Sequence, residues 1–150
     1  MRTVPALSDL PGLVGQEMGT SDWHEVTQEE VNQFADATGD HQWIHVDPER
    51  AKDGPFGRTI AHGWLTLSMI PVLMSNVVRV EGVRFGLNYG ANKVRFPAPV
   101  PVGSRIRATG VLKEAHEVQG GIQAVFEVTV NVEGQEKPSC VAETVVRYLA

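Results

Sequence analysis

The spacing of apolar residues along the chain changes period about halfway. The first half is helical in rhythm. Thr27 is followed three residues later by Glu30, the pattern of a capping box. Val31, Phe34, Ala35 and Thr38 then share one helical face, and Gly39 suits a left-handed stop. A shorter helix is predicted behind Asp47 as cap, with Pro48 at its first position and Gly54 ending it. The segment "WLTLSMIPVLMSNVVRV", from Trp64 to Val80, is apolar on nearly every side, which predicts a helix buried all round. Pro71 inside it is expected to kink it or shorten its regular part.

From about Val83 the period is two. In "IQAVFEVTVNVE", Ile122, Ala124, Phe126, Val128, Val130 and Val132 alternate with Gln123, Glu127, Thr129, Asn131 and Glu133, and Val125 breaks the pattern. That is a half-buried antiparallel strand. "SRIRATGVLKEAHEV" and "SCVAETVVRYLA" are predicted as its neighbours, with turns at Gly120–Gly121 and Gly134. A curved antiparallel sheet burying one face against one long central helix is an α+β arrangement. The chain shows no repeat and no low-complexity tract. Its 150 residues suit one domain, 1–150, and would leave two cramped.

Charge and composition narrow the function. A formal net charge of -5 argues against a nucleic-acid partner gripped through its phosphates. The N-terminal stretch lacks a signal peptide's apolar core, and the longest apolar run, broken by Ser, Thr, Asn and Pro, falls short of the ~20 residues a membrane span needs. A soluble cytoplasmic protein without a membrane partner is expected. Cys140 is the one cysteine, so no intrachain disulfide forms, and it reads as a small buried hydrophobe in a strand.

Candidate chemistry gathers in "DATGDHQWIHVDPERA", from Asp36 to Ala51. Asp40 falls just past a predicted helix end, and His45 follows beyond Gln42, Trp43 and Ile44. Such neighbours would hold a carboxylate–imidazole pair away from bulk water and move its pKa values. An ordinary turn with a core histidine fits the same letters. Further on, "TIAHGWL" enters the apolar helix with no strong capping side chain before it, so the first N–H groups lack a built-in acceptor. Asp40, His41, His45, Asp47 and His62 match no strong metal-ligand spacing, and no metal is expected.

Together, "FADATGDHQWIHVDPERA" and "IAHGWLTLS" resemble the MaoC-like dehydratases, the R-specific enoyl-CoA hydratases of the hotdog fold. Gly39, Asp40, Ile44 and His45 match the family's Gly-Asp, aliphatic, His pattern. Gln42 and Trp43 stand where the commoner members have Asn and Pro. The likeness continues through "NKVRFPAPVPVGSRIR" and covers most of the chain from Thr27 onward. The resemblance implies reversible addition of water to a trans-2-enoyl-CoA, giving an (R)-3-hydroxyacyl-CoA. No cofactor is implied, since the coenzyme A thioester is the substrate.

In that reading Asp40 and His45 share the water as acid and base, with neither assigned the first proton because a coupled pair titrates jointly. The N–H of Gly63, backed by the helix dipole, donates to the thioester oxygen. Alternatively, Gly63 only permits tight packing. Gln42 either bonds Asp40, His45 or the water, or is an ordinary exposed residue. On the substrate side, His62 packs or orients the loop, while Trp64, Met69, Met74 and Phe85 wall an acyl tunnel that Asn88 and Tyr89 also line. Lys93 and Arg95, with Arg105 and Arg107, form either a basic strip for the coenzyme's phosphates or a solvated strand face. A single hotdog leaves a sheet edge bare, which implies a homodimer with the tunnel near its interface. Two rival readings share the fold: an acyl-CoA thioesterase, and a non-catalytic acyl-CoA-binding partner subunit.

Overall fold

In the computed structural model, which describes residues 1–150, a short strand β1 (Arg2–Val4) leads through a 3-10 turn at Leu7–Leu13 to β2 (Glu17–Thr20) and β3 (His24–Glu25). Helices α1 (Gln28–Thr38), α2 (Trp43–Val46) and α3 (Pro48–Ala51) follow, and then the long helix α4 (Gly63–Ser75). The rest is extended: β4 (Val78–Val80), β5 (Phe85–Arg95), β6 (Arg105–Val118), β7 (Gly121–Val132) and β8 (Cys140–Leu149). Six strands make one open antiparallel sheet in the order β2-β6-β7-β8-β5, with β3 extending β6's partner edge, while β1 and β4 pair in parallel beside it.

The predicted alternation is realised in β7, where Ile122, Ala124, Phe126, Val128, Val130 and Val132 are all buried. Val125 is buried too. It lies opposite a bulge in β6, where Lys113 is the extra residue between Leu112 and Glu114. The turn glycines Gly120 and Gly134 have φ of +82° and +80°, which any Cβ would strain.

At α1 the cap is half a capping box. Thr27 Oγ1 accepts from the N–H of Glu30 at 3.2 Å, but the Glu30 carboxylate turns away to His24 Nε2 at 3.0 Å. Gly39 stops the helix at φ +83°, its N–H bonded to the Ala35 carbonyl.

Helix α4 departs from expectation. It ends at Ser75, and Val78–Val80 leave it as a strand. Pro71 does not end it; the helix runs a further turn, with Pro71 on its exposed side. Only one face, carrying Thr66, Ile70, Leu73 and Met74, is buried against the sheet, while Trp64 and Val72 are 63% and 59% exposed. The helix is apolar all round, yet nothing in the chain covers its second side. Beside that side lies β5, exposed along its length except at Val94. A cavity of about 720 Å³ opens between them, lined among others by Leu67, Ile70, Met74, Asn88, Phe126 and Tyr148. No helix is long and apolar enough to cross a membrane.

Candidate active site

Three short elements bring the chemistry together at the N-terminus of α4. The left-handed Gly39 throws Asp40 clear of α1, where its side chain is 53% exposed and its Oδ1 accepts from the N–H of Gln42 at 3.4 Å. His45 sits on α2, a single turn, and is 7% exposed. Its Nδ1 lies 2.7 Å from the carbonyl of Ile60. A carbonyl only accepts, so the proton is on Nδ1 and the lone pair is on Nε2. Burial pushes the His45 imidazole below its ordinary 6.5, although the bond to Ile60 pulls the other way. A neutral ring with a fixed acceptor nitrogen is the form a general base requires.

His62 supports both partners. Its ring stacks on His45 with centroids 3.9 Å apart and planes 24° from parallel. Its Nε2–H donates to the Asp40 carbonyl at 2.9 Å, and Phe34 covers it at 4.8 Å. It is 2% exposed, and its Nδ1 is buried without a partner.

The polar atoms of Asp40, His45 and His62 lie within 4.8 Å of one another. A tetrahedral ion would need imidazole nitrogens converging at ~2.0–2.1 Å. Stacked rings keep their lone pairs in two nearly parallel planes instead, and His62 Nε2–H is already given to a carbonyl. The other acids and histidines of this stretch are engaged elsewhere. His41 pairs with Asp36 at 2.9 Å on the surface, a bond that raises its pKa, and Asp47 caps α3 through the N–H of Arg50 at 3.1 Å.

Gly63 opens α4 behind His62, which gives it no side-chain cap. The N–H groups of Gly63 and Trp64 have no acceptor within the protein. A Cβ on Gly63 would come within 2.8 Å of Phe96 Cδ2, so the glycine also admits that ring. Free donor and tight packing thus meet at one residue. Trp64 stands out into solvent edge-on to Phe96, with centroids 5.8 Å apart. Gln42 is exposed at the start of α2, and its side chain bonds neither Asp40 nor His45.

The remaining predicted residues are dispersed. Asn88 lines the cavity under α4. Tyr89 is the extra residue of a bulge in β5, 55% exposed, with the Arg147 guanidinium 3.7 Å above its ring. The basic strip is divided. Lys93 and Arg95 share the outward face of β5, whereas Arg105 and Arg107 lie on β6 with β7 and β8 between. Arg105 is held by Glu133 at 2.6 Å, which draws that carboxyl down, and Arg107 covers the Trp23 ring at 4.3 Å. Two groups that hold His45 have no counterpart in the prediction. The Ile60 carbonyl belongs to the main chain and carries no signal in a side-chain pattern. Gln28, whose carboxamide donates to the His45 carbonyl at 2.8 Å, reads as a routine polar residue in the first turn of a helix.

Comparison with known proteins identifies the family and the fold. The family model described as MaoC like domain matches residues 9–135. Over 100% of both chains the sequence is 59% identical to 3-hydroxyacyl-thioester dehydratase Z of Mycobacterium tuberculosis (strain ATCC 25618 / H37Rv). It is 44% identical to Nodulation protein N of Rhizobium leguminosarum bv. viciae, across 95% of this chain and 92% of that one. Among solved structures, the (R)-hydratase from A. caviae involved in PHA biosynthesis superposes with a TM-score of 0.74 at 25% identity, covering 90% of this chain and 96% of the other. The sheet and its helix are those of a hotdog enzyme that adds or removes water. The chain belongs to the MaoC-like dehydratase family.

Proposed function

We propose that this enzyme adds water to trans-2-enoyl-CoA to give (R)-3-hydroxyacyl-CoA, reversibly, in the cytoplasm and without a cofactor. The observation that carries the reading is His45: buried, neutral, its proton fixed on Nδ1, with a ring nitrogen within 4.8 Å of the Asp40 carboxylate. In this mechanism Nε2 takes a proton from water as the oxygen bonds C3, and Asp40 accepts a hydrogen bond from the hydrogen that stays on that oxygen, aiming it. Negative charge moves to the thioester oxygen, where the free N–H of Gly63 donates. The proton returns to C2, His45 is neutral again, and the elements of water have been added. Run backwards, the same steps dehydrate.

The 720 Å³ cavity beside α4 would take the acyl chain. Lys93 and Arg95, neither of them in an ion pair and both on β5, would meet the coenzyme's phosphates, while Arg105 is committed to Glu133. A homodimer that continues the sheet across β5 would cover Phe85, Leu87 and the bare side of α4, including Trp64 and Val72. The test follows loss of the conjugated enoyl absorbance when the protein meets crotonyl-CoA. Rapid loss with an R-3-hydroxy product is expected. Release of free thiol would move the assignment to a thioesterase. Silence over short, medium and long enoyl chains, with binding retained, would move it to a partner subunit.

A further inference from the structure

A single helical turn does not hold itself in place, yet α2 carries the nitrogen on which the proposed reaction turns. What holds it begins on another helix. Gln28, the first residue of α1, projects its carboxamide onto α2. Its Nε2 donates to the His45 carbonyl at 2.8 Å and to Asn32 Oδ1 at 3.0 Å. Its Oε1 accepts from the hydroxyl of Thr59 at 2.6 Å, and Thr59 is 4% exposed. The next residue closes the ring. Ile60 donates its N–H to the Ile44 carbonyl at 3.0 Å and accepts the His45 Nδ1–H at 2.7 Å.

His45 is therefore gripped twice, by its main-chain carbonyl and by its ring, and Gln28 with Thr59 joins the two grips. The amide's orientation is settled by chemistry, because the His45 carbonyl takes only a donor and the Asn32 amide oxygen likewise. A carboxamide of this length supplies donor and acceptor from one group. Glutamate would set a carboxylate oxygen against the His45 carbonyl, and leucine would leave that carbonyl and the Thr59 hydroxyl without partners.

We infer that Gln28, with Thr59, is a positioning residue for His45, acting without touching substrate. The inference rests on His45 being the base of the proposed hydration. A displacement of about 1 Å at a reacting group is enough to cost ~10²-fold in rate. Gln28→Leu and Gln28→Glu are expected to lower kcat on crotonyl-CoA by about 10- to 100-fold, with KM within about threefold. Thr59→Val, which keeps shape and loses one hydrogen bond, is expected to cost about fivefold.

A readout independent of turnover accompanies the rates. The imidazole nitrogen shifts of His45 are expected to report one tautomer, with the proton on Nδ1, in the unaltered protein and a mixture in Gln28→Leu. Thermal melts keep the proposal testable, since only variants that stay folded are compared. A folded Gln28→Leu protein with kcat within about twofold of the original and an unchanged tautomer would overturn it. His45→Gln is assayed alongside. Full activity there would remove the base assignment itself, an outcome separable from any result at position 28.

Discussion

Asp40 and His45 lie in one short segment, and the structure treats them in opposite ways. The Asp40 side chain is 53% exposed, accepts from the Gln42 N–H at 3.4 Å and lies 4.0 Å from His62 Nε2. His45 is 7% exposed, bonded at its ring and its carbonyl, and stacked on a second imidazole. A buried, tethered ring has a set basicity and a set direction. An exposed carboxylate has neither, but it can follow a substrate in and out. In the proposed hydration this contrast makes His45 the base and Asp40 the group that aims the water.

The severest challenge to this division is removal of the ring. His45→Gln is expected to cost about 10⁴-fold in kcat/KM on crotonyl-CoA, the upper end for acid–base catalysis. Asp40→Asn keeps the shape and an oxygen that still accepts, and about 10²-fold is expected. Should Asp40→Asn prove the more damaging, the two roles are reversed.

Next in size is Gly63→Ala, whose methyl meets Phe96 at 2.8 Å; roughly tenfold is expected from displaced donors. Combining it with Phe96→Leu tells packing from ligand approach. Recovery of activity assigns the glycine to Phe96, and persistent loss assigns it to the thioester.

Smaller still is the response to acid. His45 titrates below 6.5, so it stays an acceptor as pH falls from 7.5, and kcat/KM at pH 6.5 is expected to exceed half its value at pH 7.5. An acid limb centred above 7 would contradict the buried neutral ring. The sign for stability follows. Below 6.5 the unfolded chain takes up a proton on this residue before the native chain does, so its contribution declines as pH drops toward the folded value. Gln42→Ala removes a side chain that bonds neither member of the pair and is expected to change kcat/KM by less than about twofold.

How far the letters alone reached depends on what each level of structure requires. The Thr27 cap, the Gly39 stop and the alternation of β7 are local rules, and local spacing reports them. Asp40 and His45 were legible because a family pattern holds them in one short segment. Helix α4 was misread for a physical reason: an apolar face shows that cover is wanted and says nothing of what provides it. The basic residues share faces within each strand as their spacing predicts, but strand order sets β7 and β8 between the two pairs, and spacing does not encode strand order. Gln28 was invisible because a polar residue in the first turn of a helix is ordinary, and only the packing of Thr59 and α2 against it makes it unusual.

The way Ile60 is anchored has a consequence in time. Its neighbour Ala61 donates to the Val100 carbonyl, Val102 donates back to Thr59, and Ile60 itself bridges Pro101. The ring of His45 is thus fixed by a residue that is held by chain synthesised forty positions later. Strands β6, β7 and β8 pair with their neighbours in sequence, whereas β1 waits for β4, β2 for β6 and β5 for β8. Local pairings close quickly and distant ones slowly. The half that carries Asp40 and His45 leaves the ribosome first, and a nascent chain that ends before Val100 lacks the two bonds, at Thr59 and Ala61, that flank Ile60.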